Sequence, residues 1–155
     1  MATYFRSVLL PAVRDGRVDT VLSYRQHTPL KVSAELLLRE TSLGGVGFIN
    51  ASPLHSAFLT GADPRAMETG GHAAVARWQE LAIALHELCS GLGVPILDAA
   101  LQFPLRESRI DITLTGPASA SEVDSSVRAL GRPIPQRGWA AIDGWQATLH
   151  DRHDE

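Results

Sequence analysis

Cysteine and lysine are nearly absent from this chain of 155 residues, in which Cys89 and Lys31 are the only residues of their types. A single cysteine excludes an internal disulfide and any metal site built from several thiolates, and it suits a reducing cytoplasm, the location we expect. The remaining basic residues are arginines, and they are scattered rather than clustered. Because nucleic acids are held by clustered positive charge, we expect no nucleic-acid partner.

Long hydrophobic runs are missing as well. The apolar stretch 8–13 is far too short to span a bilayer and contains Pro11, so the sequence predicts neither a membrane anchor nor a secretory signal. With 45% hydrophobic and 20% charged residues, the chain has the composition of one soluble domain with a single core. We expect this domain over residues 1–145, followed by a polar, frayed tail over residues 146–155.

Helix and strand signals alternate along the chain. Strands are indicated by short β-branched or apolar runs, and helices by apolar residues spaced by threes and fours. The pattern predicts a helix over Phe5–Val13, a strand over Val18–Tyr24, a helix from a cap at Ser33 to Leu43, a strand over Val46–Ile49, a helix over Trp78–Cys89, a short helix with Pro95 at its first position, a strand over Ile110–Thr115 and a helix with an inner stripe of Val123, Val127 and Leu130. Three βα units in succession, without hairpin signals, predict an α/β fold with a parallel sheet and crossover helices.

A ligand-binding loop is indicated where the second predicted strand ends. Small polar residues and a proline stop the strand there, and Ser52, Pro53 and Leu54 follow. Ligands of parallel α/β folds bind at the carboxyl ends of strands, so these three residues are candidate contacts. An ordinary strand and turn, without a ligand, is the alternative.

The loop after the third predicted strand has features that favour an anion and features that oppose one. Gly116 would let a ligand approach the backbone, and Ser119 stands three residues before Glu122, which is the spacing of a capping box. The positive end of the following helix attracts anions. Glu122 and Asp124 place carboxylates in the first turn, where they would repel a phosphate, so a purely structural cap is the alternative.

Four segments, taken in order, carry a resemblance to a known family: VDTVLSYRQHT, GVGFINASPLHSAFLT, ALQFPL and ITLTGPASASEVDSSV. They resemble the carboxyl-terminal part of the aldo/keto reductases, and most of all the subgroup of L-galactose, L-fucose and D-threo-aldose dehydrogenases. The resemblance extends over residues 10–130. It implies a partial (β/α)8 TIM barrel, in which this chain supplies strands six to eight.

The resemblance also implies a cofactor, NADP or NAD, and hydride transfer at C1 of a small aldose. The family holds the pyrophosphate of the dinucleotide with the loop after strand seven. In this chain that loop matches Ser52, Pro53 and Leu54. These residues are therefore expected to bind the cofactor.

The adenosine end of the dinucleotide is implied to lie on the loop and helix after strand eight. That region matches Gly116 and Ser119, and relatives often carry an asparagine toward the adenine where this chain has Ser126. Near the 2′-phosphate, many relatives have a basic or amide residue, whereas this chain has Glu122. NADP, NAD and a lost cofactor site all stay open.

Catalytic residues are not expected in this chain. The family's tetrad of aspartate, tyrosine, lysine and histidine comes from the first half of the barrel, and the matching elements would lie upstream of Met1. Tyr4 and Tyr24 have no partner lysine and aspartate to replace it. The chain would act on a sugar only if another polypeptide supplied the tetrad. The alternative is a non-catalytic nucleotide-binding or association module, or the product of a broken gene.

The histidines and the cysteine are weaker candidates. His27 and His55 fall in loops beyond strand ends, where each could contact a substrate or be an ordinary surface residue. No pair of histidines has the spacing of a helical metal site, so we expect no metal. Cys89 lies on the apolar stripe of its helix and is interpreted as packing.

The predicted sheet is incomplete as a barrel. A complete barrel has eight strands and about 250 residues. The two edges of a three-stranded sheet would be open, and its inner face, with residues such as Val21 and Phe48, would lack an opposite wall. We therefore expect self-association, or a partner chain that covers the edges.

Overall fold

The computed structural model describes residues 2–3, 6–68, 70 and 72–150. Its strands are β1 (Ala2–Thr3), β2 (Thr20–Tyr24), β3 (His27–Thr28), β4 (Lys31–Val32), β5 (Gly47–Ala51) and β6 (Ile112–Leu114). Its helices are α1 (Arg6–Arg14), α2 (Glu35–Gly44), α3 (Ala73–Gly91), α4 (Ile96–Gln102), α5 (Ala120–Gly131) and α6 (Gln136–His150), with 3₁₀ turns at Pro64–Ala66 and Phe103–Arg106. Phe5, predicted in the first helix, and residues 151–155 of the predicted tail lie outside the described residues.

Four strands form one parallel sheet in the order β1-β2-β5-β6. The register places Leu22 beside Ile49, and Ile49 beside Ile112, so the carboxyl ends of β2, β5 and β6 meet at one end of the sheet. Helices connect the successive strands of this sheet. The predicted α/β fold with parallel strands and crossover helices is confirmed.

One face of the sheet is covered by α1 and α2. Val21 and Phe48 are fully buried on this face, in one cluster with Leu9 and Leu38. The prediction that Val21 and Phe48 lie on an uncovered inner face is therefore wrong, because side chains alternate along a strand and these two point toward the helices. The opposite face carries the alternate residues, and Ile112 on it is 50% exposed.

A second core lies between α3, α4 and α6. Leu85, Cys89, Ala99 and Ile142 are completely buried in it. Burial raises the pKa of the Cys89 thiol to about 11, so this thiol stays protonated at neutral pH. The interpretation of Cys89 as a packing residue is confirmed.

Several local predictions differ from the structure. The strand β1 and the antiparallel pair of β3 and β4 form where the sequence pattern indicates neither. Ala34, not Ser33, is the N-cap residue of α2, because the Ser33 hydroxyl donates to Oε1 of Gln26 instead. Pro95 stands just before α4 as its N-cap residue, one position earlier than predicted.

The apolar stripe of α5 lies on the surface. Val123, Val127 and Leu130 are 45%, 64% and 50% exposed, whereas Ala129 on another side of the helix is completely buried. The prediction of an inward stripe is therefore wrong. The physical reason is that α5 follows β6, an outer strand of the sheet, and within the described residues no further βα unit lies beyond it.

The last helix, α6, crosses the boundary expected at residue 145 and continues to His150. Gln146 is half-buried and donates from Nε2 to the carbonyl oxygens of Thr28 and Pro29, over 3.3 and 3.1 Å. Residues 146–150 are therefore helical rather than frayed, because this contact attaches them to the end of β3 and the turn that follows it.

Within the described part of the chain, no helix is by itself long and apolar enough to cross a membrane. The segments Ala73–Gly91 and Ile96–Arg106 reach the required length and apolarity only as a pair, and the pair is bent by 107°. Both segments contribute residues to the second core, which accounts for their apolar character.

Candidate functional site

A cleft of about 810 Å³ opens where β5 and β6 end. Residues of the loop after β5 form one wall, and residues of the loop after β6 and of the start of α5 form the other. Tyr24, at the end of β2, and Leu97, from α4, complete the lining. The volume is that of a typical small-molecule site, and the position is where parallel α/β folds bind their ligands.

Most of the residues predicted to bind a cofactor lie in this cleft. The ones that line it are Ser52, Pro53, Leu54, Gly116 and Ser126. Ser119 is not part of the lining and instead caps α5. Two loops that are far apart in the sequence are thus brought together, while the binding role of each residue stays a prediction.

The loop after β5 has a constrained backbone. Ser52, His55 and Ser56 have φ angles of +61°, +49° and +61°, in the left-handed region that residues other than glycine seldom adopt. The amide of Ser52 donates to the carbonyl oxygen of Leu114, and the amide of His55 donates to that of Ser52, each over 3.1 Å. Such a backbone persists only where its surroundings enforce it, so this wall of the cleft is preformed.

His55 anchors the loop from the protein interior. Its side chain is 1% exposed, its ring centroid lies 4.4 Å from that of Trp78, and its Nδ1 lies 3.1 Å from the Thr28 hydroxyl. Burial, assisted by the positive charges of Arg25 and Lys31, lowers the pKa of His55 to about 3. The ring is therefore neutral at physiological pH and serves the stability of the loop.

His27 is buried too, at 6% exposure, with its ring centroid 5.2 Å from that of Phe103. Burial lowers the pKa of His27, although the nearby carboxylate of Glu107 opposes that shift. The expectation that these loop histidines could be ordinary surface residues is wrong for both His27 and His55. Neither is among the residues that line the cleft.

The second wall begins with the predicted helix cap. Ser119 Oγ accepts a hydrogen bond from the amide of Glu122 over 3.3 Å. The Glu122 carboxylate accepts from the amide of Ala118 over 2.7 Å, one residue before the amide that a capping box uses. Side chains of the helix thus satisfy part of its own positive end, which leaves less capacity there for an external anion.

The cleft contains little charge. Of the described residues that line it, only Glu122 has a charged side chain. A cation lies close to the other wall: Arg25 donates from Nη1 to Ser56 Oγ over 2.8 Å, and its guanidinium carbon lies 5.1 Å from the centre of the Tyr24 ring. Hydroxyl and backbone groups therefore provide most of the polar surface that a ligand would meet.

Two residues that line the cleft come from outside the two loops that the sequence predicts to bind a cofactor. Tyr24 ends β2 in register with Ala51, so an alignment of the strand ends could have indicated it. Leu97 comes from α4, and no motif in the sequence connects that helix with either loop.

A parallel sheet, crossover helices and a cleft at the carboxyl ends of the strands place the chain among the α/β proteins, a class that includes the (β/α)8 barrels. Within that class, the chain belongs to the aldo/keto reductase family, whose family model matches residues 6–147. The resemblance found in the sequence is therefore confirmed over nearly the whole chain. Aldo/keto reductases are oxidoreductases, so the chain belongs to an oxidoreductase family.

Individual relatives support this assignment. L-galactose dehydrogenase of Arabidopsis thaliana is 32% identical over 122 residues, which are 79% of this chain and 37% of that protein. Pyridoxal 4-dehydrogenase of Microbacterium luteolum is 33% identical over 58 residues, which are 37% of this chain and 17% of that protein. The solved structure of aldo-keto reductase AKR11C1 from Bacillus halodurans, in its holo form, shares the fold with a TM-score of 0.68 at 18% identity, over 92% of this chain and 48% of that chain.

The chain therefore spans less than half the length of these relatives. Its fold is that of a partial aldo/keto reductase barrel, as predicted.

Proposed function

We propose that the cleft binds a nicotinamide dinucleotide, and that the chain is the cofactor-binding part of an NAD(P)-dependent oxidoreductase. One observation carries this proposal: the two loops expected to hold the cofactor, which are far apart in the sequence, form opposite walls of one cleft of about 810 Å³. The family assignment and the holo form of AKR11C1, which shares the fold, support it.

Neutral groups of the wall formed by the loop after β6 and by α5 would hold the adenosine end of the cofactor. A Cβ placed on Gly116 would have no heavy atom within 4 Å, so its backbone is open to a ligand. Ser126 is half-buried on the same wall, where its hydroxyl could meet the adenosine end. The carboxylate of Glu122 would repel a 2′-phosphate, so we expect NAD(H) to bind more tightly than NADP(H).

Hydride transfer would need a proton acceptor in addition to the cofactor. A bound nicotinamide would supply the hydride acceptor for oxidation at C1 of the sugar, and the proton of the C1 hydroxyl would have to pass to a base. Of the described residues that line the cleft, none provides a lysine or histidine for that role. We propose that a polypeptide segment matching the first half of the barrel supplies these groups.

The substrate class follows from the relatives. L-galactose dehydrogenase matches the larger share of this chain, so we propose a small aldose as the substrate. We also propose that the protein works in the cytoplasm, which would suit its single, buried cysteine.

Titration with NADH and NADPH, followed by nicotinamide fluorescence, tests the proposed cleft. Binding of NADH by the wild-type chain is expected. Gly116→Val should weaken it at least about tenfold, because the new side chain enters the cleft. Gly131→Val is the matched control, since Gly131 ends α5, is absent from the cleft lining and also has space for a side chain. No fluorescence change with either nucleotide at millimolar concentration would disprove a cofactor site.

A non-catalytic nucleotide-binding module is the second candidate, and the shortage of acid–base groups in the cleft favours it. Assays of the purified chain with L-galactose and NAD separate the two candidates. Binding of NADH without turnover, in the presence of a first-half segment as well as without it, would support the non-catalytic module.

A further inference from the structure

An arginine stands at the border of the cleft. Arg25 follows β2 directly; its Nη1 donates to Ser56 Oγ over 2.8 Å, and its guanidinium carbon lies 5.1 Å from the centre of the Tyr24 ring. Ser56 and Tyr24 both line the cleft, although Arg25 is not itself among the described residues of the lining. The guanidinium is therefore one hydrogen bond away from the surface that a ligand would touch.

The backbone fixes Arg25 in this place. Its φ angle is +54°, in the left-handed region, and its amide donates over 3.0 Å to the carbonyl oxygen of Ala51, the last residue of β5. A residue other than glycine adopts this region at a cost in free energy, and such a conformation persists where its surroundings enforce it. The arginine is consequently tied to the ends of both β2 and β5.

Two hydroxyl groups continue from the guanidinium along the wall of the cleft. Ser56 Oγ accepts from Arg25, and Ser52 Oγ accepts from the amide of Ser56 over 3.4 Å. A hydroxyl oxygen that accepts a hydrogen bond keeps its own proton to donate, so both serines can donate to an anion. Both also line the cleft. The wall thus combines a guanidinium with hydroxyl donors, which are groups that bind phosphate oxygens well.

The segments that form the two walls carry charges of opposite sign. Residues 20–34 and 46–62, which include β2, β5 and the loops after them, contain no aspartate or glutamate. Residues 115–128 of the other wall contain two carboxylates, Glu122 and Asp124, and one basic residue, Arg128. An anion in the cleft is therefore attracted toward Arg25 and repelled from the start of α5.

Lys31 is the other basic residue of the wall with Arg25. Its Nζ lies 6.0 Å from the centre of the Trp78 ring, and neither Lys31 nor Trp78 is among the described residues that line the cleft. Arg25 is therefore the cation that contacts the lining on this side.

We propose that Arg25 binds the diphosphate group of the nicotinamide dinucleotide, with the hydroxyls of Ser52 and Ser56 as further donors. This inference rests on the proposed function, and it adds a charged contact from a residue outside the two predicted cofactor loops. Because a guanidinium has five N–H donors, it can bind a phosphate oxygen without losing the Ser56 hydroxyl. The diphosphate then lies toward the loop after β5, and the adenosine end lies toward Ser126.

The salt dependence of NADH binding tests the charge of Arg25. Nicotinamide fluorescence gives the dissociation constant of NADH at low and at high NaCl concentration. Arg25→Gln should raise this constant at least about tenfold at low salt and make it less sensitive to salt, because the contact with phosphate is screened by ions. Arg39→Gln is the matched control: it removes the same charge from α2, where the Arg39 side chain is 61% exposed, and should behave as wild type.

Competition by ADP and by adenosine separates a phosphate contact from a structural role, because only ADP carries a diphosphate. In Arg25→Gln, ADP should displace NADH at least about tenfold more weakly than in wild type, whereas adenosine should change by less than about twofold. Arg25→Lys keeps the charge and should recover part of the affinity for ADP. Far-ultraviolet circular dichroism checks the fold of each variant. The wild-type chain gives a test without substitution: it should prefer ADP to adenosine, and high salt should reduce that preference.

Three results would overturn the inference: a wild-type chain that binds adenosine as tightly as ADP, equal losses of affinity for both competitors in folded Arg25→Gln, or the same loss of NADH affinity in Arg25→Gln and Arg39→Gln. Each of these can occur while the wild-type chain binds NADH, and the proposed cofactor site then stands. A wild-type chain that binds no NADH would disprove the proposed function and this inference together.

Discussion

The two walls of the cleft are held in opposite ways. The loop after β5 is braced from the interior: Pro53 and His55 are buried, and Ser52 and Ser56 have a left-handed backbone. The loop after β6 lies at the surface, where residues 115–124 are exposed and the side chain of Glu122 helps to hold the turn.

This difference separates stability from ligand binding. A wall whose side chains pack in the core loses folding free energy when it is changed. A wall made of exposed polar groups can change with little effect on folding, because surface substitutions are usually near neutral. Substitutions in the first wall are therefore expected to reduce stability, whereas substitutions in the second wall can change the affinity for a ligand with little loss of stability.

The largest expected effect is on the braced wall. His55→Ala should lower the free energy of unfolding by about 3 kcal/mol, because it leaves a cavity against Trp78 and removes the partner of the Thr28 hydroxyl. Urea unfolding measures the change. His72→Ala, at an exposed N-cap position without a side-chain cap bond, should stay within about 0.5 kcal/mol of wild type. Equal losses in the two variants would contradict the contrast between the walls.

The second largest effect is expected from acid, which should lower the free energy of unfolding through the histidines of the braced wall. The pKa of His55 is about 3 in the folded chain against 6.5 as its ordinary value, so the unfolded chain binds the extra proton between these values. The stabilisation from one such group is therefore complete only well above pH 6.5, and below that value it falls by up to about 1.4 kcal/mol per pH unit. From pH 6.5 to 4.5 we expect a loss of about 2 kcal/mol, to which His27 adds, since burial lowers its pKa as well.

Urea unfolding at several pH values measures this loss. In His55→Ala the change of the unfolding free energy with pH should be smaller by the contribution of one proton, about 1.4 kcal/mol per pH unit. The Glu107 carboxylate, whose pKa Arg109 lowers to about 2, adds a further loss only below its ordinary value of 4.5. An unchanged slope in the variant between pH 4.5 and 6.5 would show that His55 does not titrate as expected.

A smaller effect is expected at the exposed wall. Ser119→Ala removes the side-chain oxygen that accepts from the Glu122 amide, and it should cost about 1 kcal/mol in unfolding free energy. Ser119→Asp keeps an acceptor at the cap and should restore most of that loss. A Ser119→Ala variant as destabilised as His55→Ala would remove the distinction between a braced wall and a surface wall.

The smallest effect on folding is expected for Ser126→Ala. The Ser126 hydroxyl donates to the Glu122 carbonyl oxygen within the helix, so its loss should change the unfolding free energy by less than about 0.5 kcal/mol. If the cleft holds a dinucleotide, its affinity for NADH should fall by about twofold to threefold. Calorimetric titration of NADH measures this change, and Ser121→Ala, outside the cleft lining, is the control.

The strand pattern predicted most of the architecture. β2, β5 and β6 each lie within or close to a predicted run of β-branched and apolar residues, and the cap at Ser119 follows from its spacing to Glu122. These features depend on residues close together in the sequence, so local propensity is enough to find them.

Features that depend on distant contacts were missed. The direction of Val21 and Phe48 is set by the helices that cover the sheet, and alternation alone does not tell which phase faces them. The burial of His55 depends on Trp78 and Thr28, neither of which is adjacent in sequence. The exposure of Val127 on α5 reflects the edge position of β6, which local periodicity does not reveal.

The hydrogen bonds from Gln146 tie the end of α6 to the segment that follows β2. A chain shortened to residue 145 would leave the carbonyl oxygens of Thr28 and Pro29 without this donor, and Thr28 is also the partner of His55. Insertions or deletions near the carboxyl terminus would therefore disturb the segment that holds His55, and through His55 the loop after β5 that forms one wall of the cleft.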